Sequence, residues 1–396
     1  MKGVGTGFLS ASVSLAAPSW ASGVREAAAT SGPLNFVVRP YLQAPEPTSM
    51  TVMWLTNRRD TSSWVEYGEG DALDRKAQSS RYGLVDADDP VQKISLADLK
   101  PGTRYAYRVA SKAIDHFGAY EVKFGEIKTS EVHHFTTPAP DRKSVSFLVF
   151  NDIHQNLRLF RRLYEIGGPE PTDLIVMNGD VLNHIDDERQ LIRSALEPFA
   201  DTFAAETPYV YVRGNHDARG RFARHLHEYI ASPGEPYHYA FDYGPVHFLV
   251  MDLGEDKSDD HKEYSGLVDF RPHREAQRAW LEQEIASKAF QQAPFRVLLT
   301  HIPLFGDGFT ESQCKELWGN LLNQGGIDLH LAGHWHRYRV IPAGRDLLNC
   351  PIVVGGGCKP GGATVMRVTA TPSQLKLVMT RDDGKVVGEQ TLNARP

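Results

Sequence analysis

From about residue 145 onward the chain alternates between two hydrophobic periods. Short, nearly continuous apolar runs read as buried strands, among them VSFLVF (145–150), LIVM (174–177), YVYV (209–212), RVLLT (296–300) and IDLHLA (327–332). Between them, LRLFRRLYEI (157–166), DERQLIRSALEPFADTFA (187–204), REAQRAWLEQEIASKA (274–289) and SQCKELWGNLLNQ (312–324) carry helical spacing, the last reaching a C-cap at Gly325-Gly326. Strands interleaved with amphipathic helices predict a layered α/β unit over 145–396. TVMRVTA, QLKLVMT and KVVGEQTL near the end predict further strands and a second sheet, with Asp382-Asp383-Gly384 turning the last pair.

Upstream the period is two. In TSMTVMWLT (48–56), Met50, Val52 and Trp54 share one face and their alternates the other. SWVEYGEG, VQKISLADL, RYAYRVAS and HHFTTP continue as short strands, which predicts an all-β sandwich over residues 35–138. The joint is the Pro- and charge-rich stretch from Pro138 to Lys143. Ahead of the sandwich, residues 22–34 read as a linker. Lys2, a small-residue apolar run to Ala17 and Ser19-Trp20-Ala21 predict an export signal over 1–21, hence a periplasmic or secreted protein, and a cytoplasmic one if it is a plain tail.

The strands matter because of where they stop. Each of the five apolar runs ends on residues able to hold a metal: Asp152 and His154, Asp180, Asn215 with His216, His301, and His334 with His336. Ligands in open α/β sheets collect at the carboxyl ends of strands, so these side chains are expected in one crevice. Asp180 follows Gly179, whose missing side chain lets the backbone come close, and its carboxylate can give one oxygen to each of two cations. Four imidazoles suit zinc, iron or manganese better than magnesium.

In order, Asp152-Ile153-His154, Gly179-Asp180, Gly214-Asn215-His216, His301 and Gly333-His334-Trp335-His336 resemble the calcineurin-like metallophosphoesterases, with the pattern DxH, GD, GNH, H and GHxH. The segment LADLKPGTRYAYRV resembles the tyrosine-corner region of fibronectin type III domains. Framed by VRPYLQ and FTTP, it is similar to the sandwich of purple-acid-phosphatase-type enzymes. The resemblance implies an α-β-β-α domain behind an immunoglobulin- or fibronectin III-like sandwich, acting on small phosphate esters with two divalent or trivalent metal ions (Fe, Mn or Zn). It implies one ion on Asp152, His154, Asp180 and His336, and a second on Asp180, Asn215, His301 and His334. Asp180 and a shared hydroxide would bridge them. His216 would face the substrate as a catalytic group, and Asp217 would fix its tautomer. Where the purple enzymes carry a tyrosine, this chain has Asn183, which implies a relative without their colour. Phosphomonoesters are the expected substrates. A phosphodiesterase and a binding or adhesion protein with a degenerate domain are the alternatives, the latter opposed by the intact ligand set.

Composition adds exclusions. A net charge of −6 argues against a general nucleic-acid binder, and no apolar stretch is long enough for a membrane span. Cys314, Cys350 and Cys358 form no disulfide framework or zinc-finger spacing; they read as small core hydrophobes, with a Cys350–Cys358 bridge as the alternative. His184, Arg158, Arg219, His238 and Lys359 read as solvated or structural. The Gly355–Gly357 stretch lacks a Walker ending and reads as a flexible rim loop. The polar loop from Gly254 to Arg271 is the expected substrate wall.

Overall fold

A computed structural model of the chain describes residues 32–168, 170–346 and 348–395. The expected export signal and most of the linker lie outside the described residues.

The period-two region folds into two facing sheets. One holds strands Phe36–Glu46, Ser49–Thr56 and Val91–Leu96. The other is built on Arg104–Phe117, flanked by Thr61–Glu69, Val122–Thr129 and His133–Thr136. Trp54, Leu96, Tyr105 and Tyr107 lie in the core between them. The Lys100 amide donates to the Tyr105 hydroxyl at 2.9 Å, the backward-reaching bond of a tyrosine corner. The alternation along Ser49–Thr56 is as expected, with Met50, Val52 and Trp54 in that core. The opposite face is not in water. Met53 and Leu55 join Val38 and Tyr41 in an apolar cluster of the second unit.

That second unit has two six-stranded sheets. In the first, the order is Tyr209–Val212, Leu174–Asn178, Val145–Phe150, Thr364–Ala370, Gln374–Arg381 and Val386–Asn393. Its first three strands run parallel and the remaining pairings are antiparallel. In the second sheet, Val246–Val250, Phe295–Leu299, Leu329–Ala332 and Ile352–Val354 are parallel neighbours, with antiparallel strands at both edges. The sheets face each other through Phe147, Val149, Phe248, Val297 and Leu331. Helix Leu157–Gly167 covers the outer face of the first through Phe160 and Leu163. Helices Phe270–Glu284 and Phe309–Gly325 cover the second through Leu281, Trp318 and Leu322. This is the α-β-β-α layering the sequence predicts.

Two helices differ in detail. The helical run at 188–204 widens into π turns at Ile192–Leu196 and Ala200–Ala204, on either side of Pro198, which has no N–H to offer the regular ladder. The helix expected over 274–289 begins at Phe270 and ends at Glu284. Ser287 then caps a separate short helix, Lys288–Gln292, accepting the Phe290 amide at 3.1 Å. All three cysteines are free.

Candidate metal centre

The strand ends of both sheets meet at one place, tied by a buried amide. Asn178 Nδ2 donates to Asn151 Oδ1 at 2.9 Å and to the Thr300 carbonyl at 3.1 Å, joining the first sheet to the second. Immediately beyond, the chain reverses sharply. Asp152, His154, Asp180, His334 and His336 all take positive φ, between 47° and 71°. Such conformations cost non-glycine residues roughly 1–3 kcal/mol each and concentrate at functional sites. Five of the seven expected ligands carry that strain.

The glycines among them make room for one another's neighbours. A Cβ on Gly214 would lie 2.2 Å from the Asp180 backbone nitrogen, and one on Gly179 would lie 2.4 Å from His301 Nδ1. Each therefore admits a candidate ligand from a different strand end.

Two groups of ligand atoms result, each with its members within 4.8 Å of one another. Asp152, His154, Asp180 and His336 make one; Asp180, His301 and His334 make the other, and Asp180 belongs to both. Asn215 joins the second group, with its Oδ1 3.0 Å from His334 Nδ1. All seven residues expected as ligands are thus brought together. The Gly355–Gly357 stretch is not a flexible rim loop: it is buried, and a Cβ on Gly357 would sit 2.6 Å from that of His336.

Hydrogen bonds set the imidazoles. His301 Nδ1–H donates to the Asn178 carbonyl at 2.9 Å, turning Nε2 toward the carboxylates. That Nε2 lies 3.1 Å from Asp180 Oδ2 but off the line a hydrogen bond requires, so it is a buried nitrogen without a hydrogen-bond partner. His154 Nδ1 lies 3.0 Å from Asn183 Oδ1, and its Nε2 faces His336 Nε2 at 2.9 Å. At most one proton fits between two such nitrogens, whereas a cation can take both lone pairs. A buried His301 nitrogen aimed at two carboxylates, and opposed imidazoles, fit a bound metal.

Charge is distributed unevenly. Burial opposes ionisation of Asp180, yet His301, His216 and His154 hold its carboxyl well below the usual range. Burial also opposes a charge on His301, but Asp180 and Asp152 push it up to about 10. His334 is brought down to about 4 by burial and by His301, which leaves it neutral and ready to ligate.

The expected pairing of Asp217 with His216 is not made. Asp217 is fully buried and accepts the amides of Leu182 at 3.0 Å and Gly214 at 2.9 Å, bracing two of the ligand turns. Burial and the nearby Asp180 raise its carboxyl to about 7. His216 is oriented instead by the Asn183 carbonyl, which accepts from Nδ1 at 2.8 Å. Asn183 thus sets two histidines, one through its side chain and one through its backbone. Arg219, read from the sequence as solvated or structural, brings Nη1 to 3.3 Å from His216 Nε2. Its other nitrogens are clamped by Glu255 at 2.8 Å twice, which brings the start of the loop after Gly254 close to His216. His238 is elsewhere, packed on His273 and Trp280, and His184 faces Asp186.

Comparison with known proteins gives the family of each domain. Residues 145–338 match the calcineurin-like phosphoesterase family, and residues 37–137 match the purple acid phosphatase N-terminal domain. Acid phosphatase type 7 of Homo sapiens is 26% identical over 319 residues, covering 74% of this chain and 68% of the relative. Purple acid phosphatase 23 of Arabidopsis thaliana is 21% identical over 366 residues, covering 77% and 74%. The solved structure of purple acid phosphatase PPD1 from yellow lupin seeds shares the fold, with a TM-score of 0.67 and 18% identity over 89% of this chain and 74% of that one. Among the described residues no helix is long and apolar enough to cross a membrane. Clustered Asp and His residues at the strand ends, layered sheets and matched families together make this chain a metal-dependent phosphoesterase, with a calcineurin-like phosphoesterase domain behind a purple acid phosphatase N-terminal domain.

Proposed function

We propose that the chain hydrolyses phosphomonoesters with two metal ions held in one shared centre. The reading rests chiefly on Asp180, whose carboxylate belongs to both ligand groups. Asp152, His154 and His336 would complete one set; Asn215, His301 and His334 would complete the other. When bound, such a pair supplies a nucleophile at neutral pH and offsets the charge of the phosphoryl oxygens. Iron, manganese and zinc all suit the donors.

The chain's own residues do the rest. With Nδ1–H committed to the Asn183 carbonyl, His216 Nε2 accepts from Arg219 Nη1 at 3.3 Å, and it would exchange that bond for a proton destined for the departing oxygen. Arg219, fixed by Glu255, keeps a permanent cation 3.3 Å from that nitrogen, where negative charge on the substrate would meet it. Asp217 acts through the backbone, holding the Leu182 and Gly214 amides that shape the turns.

The test is hydrolysis of a chromogenic phosphomonoester and the matching diester by metal-supplemented protein, with and without chelator. Turnover of the monoester that chelator abolishes is expected. Faster turnover of the diester would replace the monoesterase reading, and chelator-resistant turnover would end the metal mechanism. In the same assay His216→Ala should keep its metal while the rate falls by roughly 10²–10⁴, the range of general-acid catalysis. An unchanged rate removes His216 from the chemistry.

A further inference from the structure

Next to His216 a cleft of about 570 Å³ opens to solvent, a size typical of small-molecule sites. Arg219, Arg221, Arg224, Tyr264, Leu267 and Val268 are among its lining residues. Arg219 connects it to the candidate centre, since the same guanidinium lies 3.3 Å from His216 Nε2.

The charges of the cleft do not balance locally. Glu255 is occupied by Arg219 at 2.8 Å and by the Tyr264 hydroxyl at 3.0 Å. Asp256 is shared by Arg219 at 3.3 Å and Lys257 at 3.0 Å, and Glu263 is met by Lys257 at 3.2 Å. The carboxylates are therefore taken. Arg224 finds only backbone carbonyls, of Gly220 at 3.5 Å and Leu267 at 3.2 Å. Arg221 makes no ion pair or hydrogen bond among the described residues. Two guanidiniums without a carboxylate partner thus border the cleft. The wall itself is apolar: Leu267 is 70% exposed, and Val268 and the Tyr264 ring adjoin it.

An apolar wall with unmatched cations, beside the histidine that would protonate a departing oxygen, fits one kind of molecule. We infer that the leaving group lies in this cleft, and that the preferred phosphomonoesters carry an apolar body bearing a second anionic group, held by Arg221 and Arg224. The inference rests on the phosphomonoesterase reading and on His216 standing at the leaving-group side. A carboxylate and a second phosphate share the chemistry that a guanidinium recognises.

The test uses the metal-loaded full chain, with phenyl phosphate, 4-carboxyphenyl phosphate and 1,4-phenylene bisphosphate as substrates. Each substituent changes the leaving group's intrinsic reactivity, so the readout is the ratio of kcat/KM between wild type and an Arg221→Gln/Arg224→Gln variant, substrate by substrate. Both arginines are exposed and outside the proposed metal centre, and phenyl phosphate has no second anion for them to hold, so it should be hydrolysed within about twofold of wild type, an ordinary surface effect. At least one anionic substrate should lose about fivefold, the scale of an exposed charge pair, and added salt should shrink that loss. The arm that loses more names the anion. Equal ratios for all three substrates would overturn the inference while leaving phosphatase activity standing. No hydrolysis of any of them would remove the function first, and the inference with it.

Discussion

On the proposed ligand set, His301 would hold a proton that a metal has to displace. In the metal-free centre burial works against its charge, but Asp180 and Asp152 raise it to about 10. A ligand that is protonated below its folded pKa competes with the cation, so affinity should climb with pH across the neutral range. With one proton released per ion, the gain is about tenfold per pH unit. Competition against a chelator of known affinity between pH 6 and 8 would measure it, and a flat profile would take His301 out of the ligand set. The same proton bears on folding. A raised pKa stabilises the metal-free fold fully below the unfolded histidine value, and that contribution is lost as pH rises through about 10. Asp217 has the same sign at lower pH: raised to about 7, it favours the fold below the usual carboxylate range and loses that contribution on the way to neutrality.

At the scale of elements, the centre is made by turns that interlock across strand ends. Gly214→Ala would drive a methyl to 2.2 Å from the backbone of Asp180, so a substitution in one block is felt in another. Overpacking of this kind costs about 1–3 kcal/mol. Here metal should be lost along with stability, and a Gly214→Ala protein with full metal content and an unchanged denaturation midpoint would contradict the close approach. These blocks were legible in the sequence because each couples a local signal, an apolar run, to a local consequence, a candidate ligand one to four residues past it. What was not legible depends on partners far along the chain. Asn178 looks like any strand terminus until Asn151 and Thr300 arrive from other strands. Asp217 reads as the partner of His216 because nothing in its neighbourhood announces the amide of Leu182, 35 residues earlier. Arg219 reads as solvated until Glu255 fixes it beside His216. Periodicity likewise put Met53 opposite Trp54 but could not say that this second face meets another domain.

The whole molecule depends on that second face. Val38, Tyr41, Met53 and Leu55 of the sandwich share one apolar cluster with Phe150, Phe199 and Tyr209 of the phosphoesterase domain. Polar bonds follow the same seam: Tyr41 Oη donates to the Tyr229 carbonyl at 3.0 Å, Lys93 Nζ to that of Ile230 at 2.6 Å, and the Ala231 amide to Gln43 Oε1 at 2.7 Å. Farther along, Tyr107 Oη donates to the Ala205 carbonyl at 2.6 Å. Denaturant unfolding of the full chain should therefore be a single transition by both fluorescence and circular dichroism. Tyr41→Ala should lower its stability by about 3–5 kcal/mol, the usual cost of deleting a buried aromatic ring. Two resolved transitions would mean that the domains fold independently. The seam has a further consequence for the cleft. Residues 229–231, which the sandwich fastens, directly follow the 3₁₀ helix Arg221–Glu228 that carries Arg221 and Arg224. Exchanging the N-terminal module between relatives would disturb the far side of the proposed leaving-group cleft, so a change in strands remote from that cleft can still alter what it accepts.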